Sequence, residues 1–325
     1  MNEPFHVSVT SGSRLHFGLT RFRPVADPDG PPPLFGGIGV MIDDPVTTIS
    51  FRSSEKFATI GSERLAPFIS RWCEQRQLDM PKCIVELVSS PPAHSGLGSG
   101  TQLAHGLALG LAKYFQCSAD TPQTVARLME RGKRSMIGSF GFCHGGLIAD
   151  TSAVHGPAEL ATRLVFPSQW RAVLVLHLAA NKKFGLQEQA AFDNILAEQV
   201  NRSRRLESLI ANHLIPAIKT ESFSVFCETV SEYGRLSGEY YLDVQGGTFN
   251  GPVITSVVDT LLRLGATGVG QSSWGPVVFS WCEDQQAAEE LLARVEANFG
   301  DDAMSWIAKP LNEPATIHDS AIARS

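Results

Sequence analysis

Residues 91–102 read PPAHSGLGSGTQ and run straight into LAHGLALGLAKYF at 103–115. The paired prolines end a preceding strand, because proline has no N–H to give to a ladder. Gly96, Gly98 and Gly100 then alternate with Leu97 and Ser99. Glycine admits positive φ and lets main-chain N–H groups approach a ligand with no Cβ in the way. The segment that follows is small and apolar almost all round, which predicts a buried helix. Its first N–H groups have no partner inside the helix, and the positive end of its dipole faces the same space. Such a helix start is a ready anion site. The residues placed to form it are Ser95, Gly96, Leu97, Gly98, Ser99, Gly100, Thr101 and Gln102, with the Ser99 and Thr101 hydroxyls available to a phosphate oxygen or a metal. A glycine-rich cap without a ligand is the plainer alternative; the strand before and the apolar helix after favour phosphate. No Lys-Ser/Thr follows the last glycine, so this is not a P-loop, and the spacing does not fit a dinucleotide fingerprint.

Outward from that loop, strand-like alternation is expected at 5–9, 46–51 and 83–88, and helical spacing at 65–76. Residues 24–37 are dense in proline and glycine and read as a loop. Thr121 followed by Pro122 is a helix start, with the helix expected to run to about residue 131. Gly138, Gly141, Gly145 and Gly146 read as loop and turn before an apolar strand at 147–150. A change of composition near 165–170 predicts a boundary, giving halves 1–165 and 166–325. The second half is expected to hold strands at 171–178, 276–281 and 304–308, helices at 188–211, 216–233, 253–264 and 285–298, and a second glycine loop at 268–276. The tail after 311 is expected to be mobile or superficial. Strands and helices mix without regular βαβ alternation, which predicts an α+β fold in two layers with antiparallel sheet.

Bulk properties bound the function. The chain has 325 residues, 43% of them hydrophobic, enough for one large domain or two modest ones. A formal net charge of −6 argues against general binding to nucleic acid or to an anionic membrane, while allowing a local basic pocket. The N-terminus lacks the basic start and apolar run of a secretory signal, and no stretch nears the roughly 18 apolar residues of a membrane span. Six scattered cysteines without a CxxC pair read as buried small hydrophobes in a reducing compartment. The expectation is a cytoplasmic protein acting on small molecules.

The pattern P-x3-G-L-G-S-G-T-Q at 92–102 resembles the second motif of the GHMP kinases, PxxxGLxSS. Four further segments are similar to one branch of that superfamily, the β-ribofuranosylaminobenzene 5′-phosphate synthases: SRLHFGL at 13–19, FGGIGVMID at 35–43, RGKRSMIGSFGFCHGGLIAD at 131–150 and GQSSWGP at 270–276. They stand in the branch's order from about residue 8 to about residue 290. The resemblance implies a two-layer GHMP-kinase-like fold, with an N-terminal half like ribosomal protein S5 and a ferredoxin-like C-terminal half. It also implies Mg2+ and a homodimer. Two positions depart from the kinase pattern. Aligned on Gly145 and Gly146, the kinase Asp that assists the substrate hydroxyl falls at Gly138, and the second serine of PxxxGLxSS is Gly100. Glycine can act neither as a base nor as a metal ligand through a side chain, which favours the synthase branch over an ATP-dependent kinase.

The reaction implied by that branch joins 5-phosphoribosyl 1-diphosphate to 4-aminobenzoate or 4-hydroxybenzoate, with loss of CO2 and diphosphate, toward methanopterin-type cofactors. The departing diphosphate needs donors and cations, and the acceptor ring must already lie against the ribosyl carbon. Arg14 and His16 match a family segment and are candidates for phosphate or carboxylate binding and for catalysis; a surface Arg and a core His are the alternatives. Lys133 and Arg134 are candidates for phosphate binding or for compensating a helix dipole, and His144 for proton transfer. Asp150, with Ser99, is a candidate Mg2+ ligand. Gln271, Ser272 and Ser273 in the second glycine loop are expected to reach the site from the C-terminal half. Trp274 reads as core or as a ring to stack on, Asp43 and Asp44 as turn residues, and Lys182 and Lys183 as a solvated face or a lid. A kinase using ATP and a non-catalytic phosphometabolite binder are the competing functions.

Overall fold

The structure is a computed structural model that describes residues 5–20, 36–129, 132, 135–151, 158–180 and 200–319. A seven-stranded sheet underlies the first half, with β1 (His6–Leu19) and β2 (Gly37–Ser53) as its long antiparallel centre. The expected strand at 46–51 is the end of β2, which starts nine residues earlier than the β-branched run because residues 43–46, including Pro45, leave the ladder as a bulge: β1 faces Thr47 at Ser11 but Ile42 at Ser13. The Ser13 hydroxyl donates to the Pro45 carbonyl across it, 2.6 Å. One part of β2 carries β4 (Cys83–Ser89), which pairs in parallel with β3 (Ala58–Ile60). The other carries β5 (Leu147–Asp150), followed by β6 (Leu160–Leu164).

Helix α1 (Leu65–Gln75) and the buried α2 (Ser99–Tyr114) cover this sheet. Gly106 and Gly110 set α2 directly on it, since a Cβ at either would fall 2.7 Å from Ile49 or 2.0 Å from the Phe51 ring. Helix α3 (Pro122–Leu128) starts as expected, with Thr121 Oγ1 accepting from Thr124 N at 3.1 Å, but stops at Leu128.

Residues read as loop form instead an eight-residue helix, α4 (Ile137–His144). Gly138 and Gly141 serve contact rather than turning: a Cβ on Gly141 would lie 2.3 Å from Met41 Sδ, and one on Gly138 3.3 Å from Thr101. Gly145 and Gly146 do make the turn into β5, both at positive φ.

The second half has a four-stranded antiparallel sheet of β7 (Arg171–His177), β8 (Thr267–Gln271), β9 (Val277–Cys282) and β10 (Ala303–Ala308), in the order β10-β7-β9-β8. That is the ferredoxin-like arrangement. Its helices are α5 (Val200–Leu209), α6 (Ile215–Lys219), α7 (Phe223–Gly238), α8 (Gly251–Arg263) and α9 (Gln285–Phe299). The single helix expected at 216–233 is two, broken where Glu221 takes φ +52°. A π-helical turn, Ile210–Leu214, links α5 to α6, and residues 188–199 of the expected helix lie outside the described residues.

The halves share one apolar core, in which Phe17 of β1 meets Phe226 of α7 and Phe279 of β9 at ring separations of 6.2 and 5.5 Å. The tail as far as residue 319 lies on the surface, as one of its two expected alternatives had it, and is held there. Gly146 N donates to Leu311 O, Ala315 N to Phe142 O, and β11 (Thr316–Asp319) pairs with the outer edge of β1. Lacking apolar alternation, this segment is recognised only by the edge it covers. Among the described residues no helix is long and apolar enough to cross a membrane.

Candidate active site

The glycine loop leaves β4 and turns into α2 through Gly96 (φ +89°) and Gly98 (φ +80°), the latter the left-handed N-cap of the helix. No side chain caps α2. Ser95 N donates to Pro92 O, and Thr101 and Gln102 N both turn back to Gly98 O. The amides between them belong to a helix start that no side chain among the described residues caps, at the positive end of a buried sixteen-residue helix. Both glycines are required twice over, by φ and by space: a Cβ at Gly98 would lie 2.8 Å from Arg14 Cγ, and one at Gly96 2.2 Å from Ser272 O.

Arg14 borders the loop. Its amide donates to Leu97 O at 3.0 Å and its Nη1 to Gly96 O at 2.7 Å, so the guanidinium sits at the mouth of the helix as expected for a phosphate or carboxylate partner. The second glycine loop does reach the site, but two of its three named residues are turned to the protein. The Ser272 hydroxyl accepts from His16 N at 3.1 Å and donates to Gly96 O at 2.8 Å. Gln271 accepts from Asn250 N and donates to Ser273 O. These side chains hold the two loops together. Ser273 N donates to His16 O, Val277 N to Ser95 O, and Gly275 lies so close to Gly96 that a Cβ on it would be 2.2 Å from that backbone. Trp274 is buried, as its core reading expected.

His16 is buried beneath this junction, and both its ring nitrogens are engaged. Gly18 N donates to Nδ1 at 3.1 Å, which leaves the proton on Nε2, where it is donated to Ser135 Oγ at 3.1 Å. Burial, and then the nearby Arg14 charge, holds its pKa well below the ordinary histidine value. Both ring nitrogens are thus engaged within the protein, which favours the core alternative for His16. Asp150, near Ser135, is fully buried; its Oδ2 accepts from Met136 N at 2.5 Å, while its Oδ1 has no hydrogen-bond partner among the described residues. Burial pushes the Asp150 carboxyl up to about 7, against the pull of the Met136, Gly37 and Asp150 amides. Asp150 therefore closes the start of α4 through Oδ2. Among the described residues no group of three His, Cys, Asp or Glu side chains could hold a metal.

His144 ends α4, at the opposite end from Ser135, and its carbonyl accepts from Arg163 at 3.2 Å. It is exposed and is not brought to the loop. Lys133, Arg134, Lys182 and Lys183 lie outside the described residues. Asp43 accepts from Lys309 N at 2.7 Å beside the β2 bulge, a structural role as its turn reading expected. Gly138 faces Thr101 and takes a bond from Gln102 Nε2 to its carbonyl at 2.9 Å, so the position where a kinase carries its Asp lies beside the loop and bears no side chain. Ser135 was missed by sequence reading: a serine after Lys133-Arg134 has no local mark, and its importance comes from His16 and Asp150.

A left-handed glycine turn feeding an uncapped buried helix, clamped by a glycine loop from a ferredoxin-like half, defines a GHMP-type small-molecule enzyme. Two family models match: GHMP kinases N terminal domain at residues 68–153 and GHMP kinases C terminal at 214–301. The chain is 24% identical over 277 residues to β-ribofuranosylphenol 5′-phosphate synthase of Methanothermobacter thermautotrophicus, covering 78% of this chain and 83% of that one. It is 26% identical over 275 residues to the enzyme of the same name from Archaeoglobus fulgidus, covering 75% and 79%. Among solved structures, mevalonate pyrophosphate decarboxylase from Streptococcus pyogenes matches with TM-score 0.67 at 15% identity, covering 96% of this chain and 99% of that one. L. major mevalonate kinase matches with TM-score 0.67 at 11% identity, covering 94% and 96%. The chain belongs to the GHMP superfamily and, within it, is an enzyme of the transferase branch similar to the β-ribofuranosylphenol 5′-phosphate synthases.

Proposed function

We propose that this enzyme is a pentosyltransferase that joins the anomeric carbon of 5-phosphoribosyl 1-diphosphate to the carboxyl-bearing ring carbon of a 4-substituted benzoate, releasing CO2 and diphosphate on the way to a methanopterin-type cofactor. The observation that carries this reading is the uncapped start of α2 beside a side-chain-free Gly138. An anion that leaves is received there, while the carboxylate a kinase would use is absent from the adjoining position. The relatives' name, with phenol in it, supports 4-hydroxybenzoate as the acceptor; 4-aminobenzoate is the second acceptor to assay.

In this reading the diphosphate lies on the amides from Gly96 to Gly100 with the Ser99 and Thr101 hydroxyls beside it. Negative charge grows on it as the C–O bond breaks, and main-chain dipoles already aimed at that charge need no reorganisation. Arg14 sits where the same charge, or the benzoate carboxylate, would come. Magnesium, which the family resemblance implies, would supply counter-charge to the diphosphate at this loop, with Ser99 and Asp150 as the candidate ligands.

The test is product analysis. Incubation with phosphoribosyl diphosphate, Mg2+ and carboxyl-labelled 4-hydroxybenzoate or 4-aminobenzoate is expected to release labelled CO2 and diphosphate in equal amounts. Release of ADP from ATP, with no labelled CO2 from either acid, would make the protein a kinase instead.

A further inference from the structure

Ser135 stands just before α4, half-buried, with a hydroxyl that can act in one direction only. Nδ1 of His16 accepts from the Gly18 amide, so the imidazole proton is on Nε2 and is donated to Ser135 Oγ at 3.1 Å. The Ile137 amide at the start of α4 donates to the same oxygen at 3.2 Å. A serine hydroxyl has two lone pairs and one proton. With both lone pairs taken, Ser135 is left as a donor. Among the described residues no protein acceptor is hydrogen-bonded to that proton: the nearby Asp150 takes the Met136 amide on Oδ2 and has no partner on Oδ1. A half-open hydroxyl that can donate and cannot accept selects a ligand atom that only accepts, and a carboxylate oxygen is such an atom.

Position indicates which anion. Leu15 and Phe17 of β1 enter the core, so Arg14 and His16 share the opposite face of the strand, about 7 Å apart. Arg14 is bonded to Gly96 O and lies against Gly98, at the mouth of α2 where the diphosphate is proposed to lie. Ser135 is bonded to the His16 ring, one step further along that face, and precedes by three residues the Gly138 that touches Thr101 of the anion loop. The ring carbon that attacks is the one bearing the carboxylate, so this group has to come beside the departing diphosphate. We infer that Ser135 is an acceptor-binding residue, whose hydroxyl donates to the carboxylate of the 4-substituted benzoate and holds that ring carbon against the anomeric carbon. This role rests on the pentosyltransferase reading and leaves Arg14 to the diphosphate.

A neutral donor suits a group that has to leave. The carboxylate is an anion when bound and neutral CO2 when released. A cation paired to it would stabilise the bound substrate more than the transition state, in which that charge is already passing into the ring. One hydroxyl orients the group and loses little when the charge goes. The ring carbon bonds to the anomeric carbon as diphosphate leaves with the C–O pair. The C–CO2 bond then breaks, its pair returns to the ring, and CO2 departs. Ser135 keeps its proton throughout. The same hydroxyl serves a 4-hydroxy or a 4-amino acceptor, since both carry the carboxylate.

The experiment measures Kd by titration calorimetry for 4-hydroxybenzoate, for 4-methylphenol, which has a methyl group in place of the carboxylate, and for phosphoribosyl diphosphate with Mg2+. The proteins are the native enzyme, Ser135→Ala and Ser135→Cys, the last keeping the shape with only a weak donor. Both variants are expected to bind 4-hydroxybenzoate roughly tenfold to a hundredfold more weakly, the scale of one hydrogen bond to a charged group. Their affinities for 4-methylphenol and for phosphoribosyl diphosphate should match those of the native enzyme. Equal weakening of the acid and 4-methylphenol, an unchanged affinity for the acid, or a loss confined to phosphoribosyl diphosphate would overturn this role while leaving the transferase reading intact. So would a native enzyme that binds 4-methylphenol as tightly as the acid. Native enzyme that releases no labelled CO2 from either acid overturns both. Circular dichroism melting identifies a variant that fails to fold, and the other variant then decides.

Discussion

Two helices begin within reach of each other, and they begin differently. Helix α2 starts at a left-handed glycine with no side-chain cap among the described residues. Helix α4 starts with the Asp150 carboxylate already bonded to the Met136 amide. A helix start attracts negative charge wherever it lies; α4 has been given that charge by its own chain, and α2 has not. The difference assigns roles. In the proposed reaction the uncapped start would receive the substrate's diphosphate, and the supplied one carries a buried carboxyl of its own.

The largest effect should come from spoiling the free start. Gly98→Val puts a branched side chain at φ +80° and against Arg14. Diphosphate affinity by titration calorimetry is expected to drop at least about a hundredfold, because the ligand loses several amide bonds of roughly 1 kcal/mol or more each. Unchanged affinity in a folded variant would remove the anion from α2.

Neutralising the supplied start should act on stability, with a defined pH dependence. The Asp150 carboxyl titrates near 7 when folded and near 3.8 when unfolded, so between those values the folded state holds the extra proton. Its contribution to stability is complete below about pH 4 and is lost as pH rises to 7, a cost on the order of a few kcal/mol above that. Asp150→Asn cannot ionise and should melt several degrees above the native enzyme at pH 8, with the advantage gone at pH 4. An advantage that grows toward acid would mean that the carboxylate is stabilised by its donors rather than strained by burial. A smaller change tests the clamp between the loops. Ser272→Ala removes the hydroxyl between His16 N and Gly96 O and should raise KM for phosphoribosyl diphosphate about fivefold, the equivalent of one hydrogen bond near 1 kcal/mol, with kcat little altered.

The same contrast explains what could be read in advance. The start of α2 is a local property: prolines, alternating glycines and an apolar helix lie within 25 residues of one another, and each implies the next. The start of α4 is not local. Gly138 and Gly141 look like turn residues until Thr101 and Met41 are brought against them. Ser135 is ordinary until β1 delivers His16 and β5 delivers Asp150. Ser272 and Gln271 were located in the right loop, yet the direction of their side chains depends on Gly96 and Asn250, far away in sequence. The ferredoxin-like half followed from its strand and helix patterns with the family resemblance, whereas β11 has no pattern of its own to find.

That last strand has a consequence for how the protein is made. Val7 pairs with Asp319, so the outer edge of β1 waits for the other end of the chain. At the usual pace of synthesis the wait for about 300 intervening residues is tens of seconds, during which a bare strand edge is offered to any neighbouring nascent chain. The first half can assemble its helices early, but its sheet gains this strand only once residues 316–319 have left the ribosome.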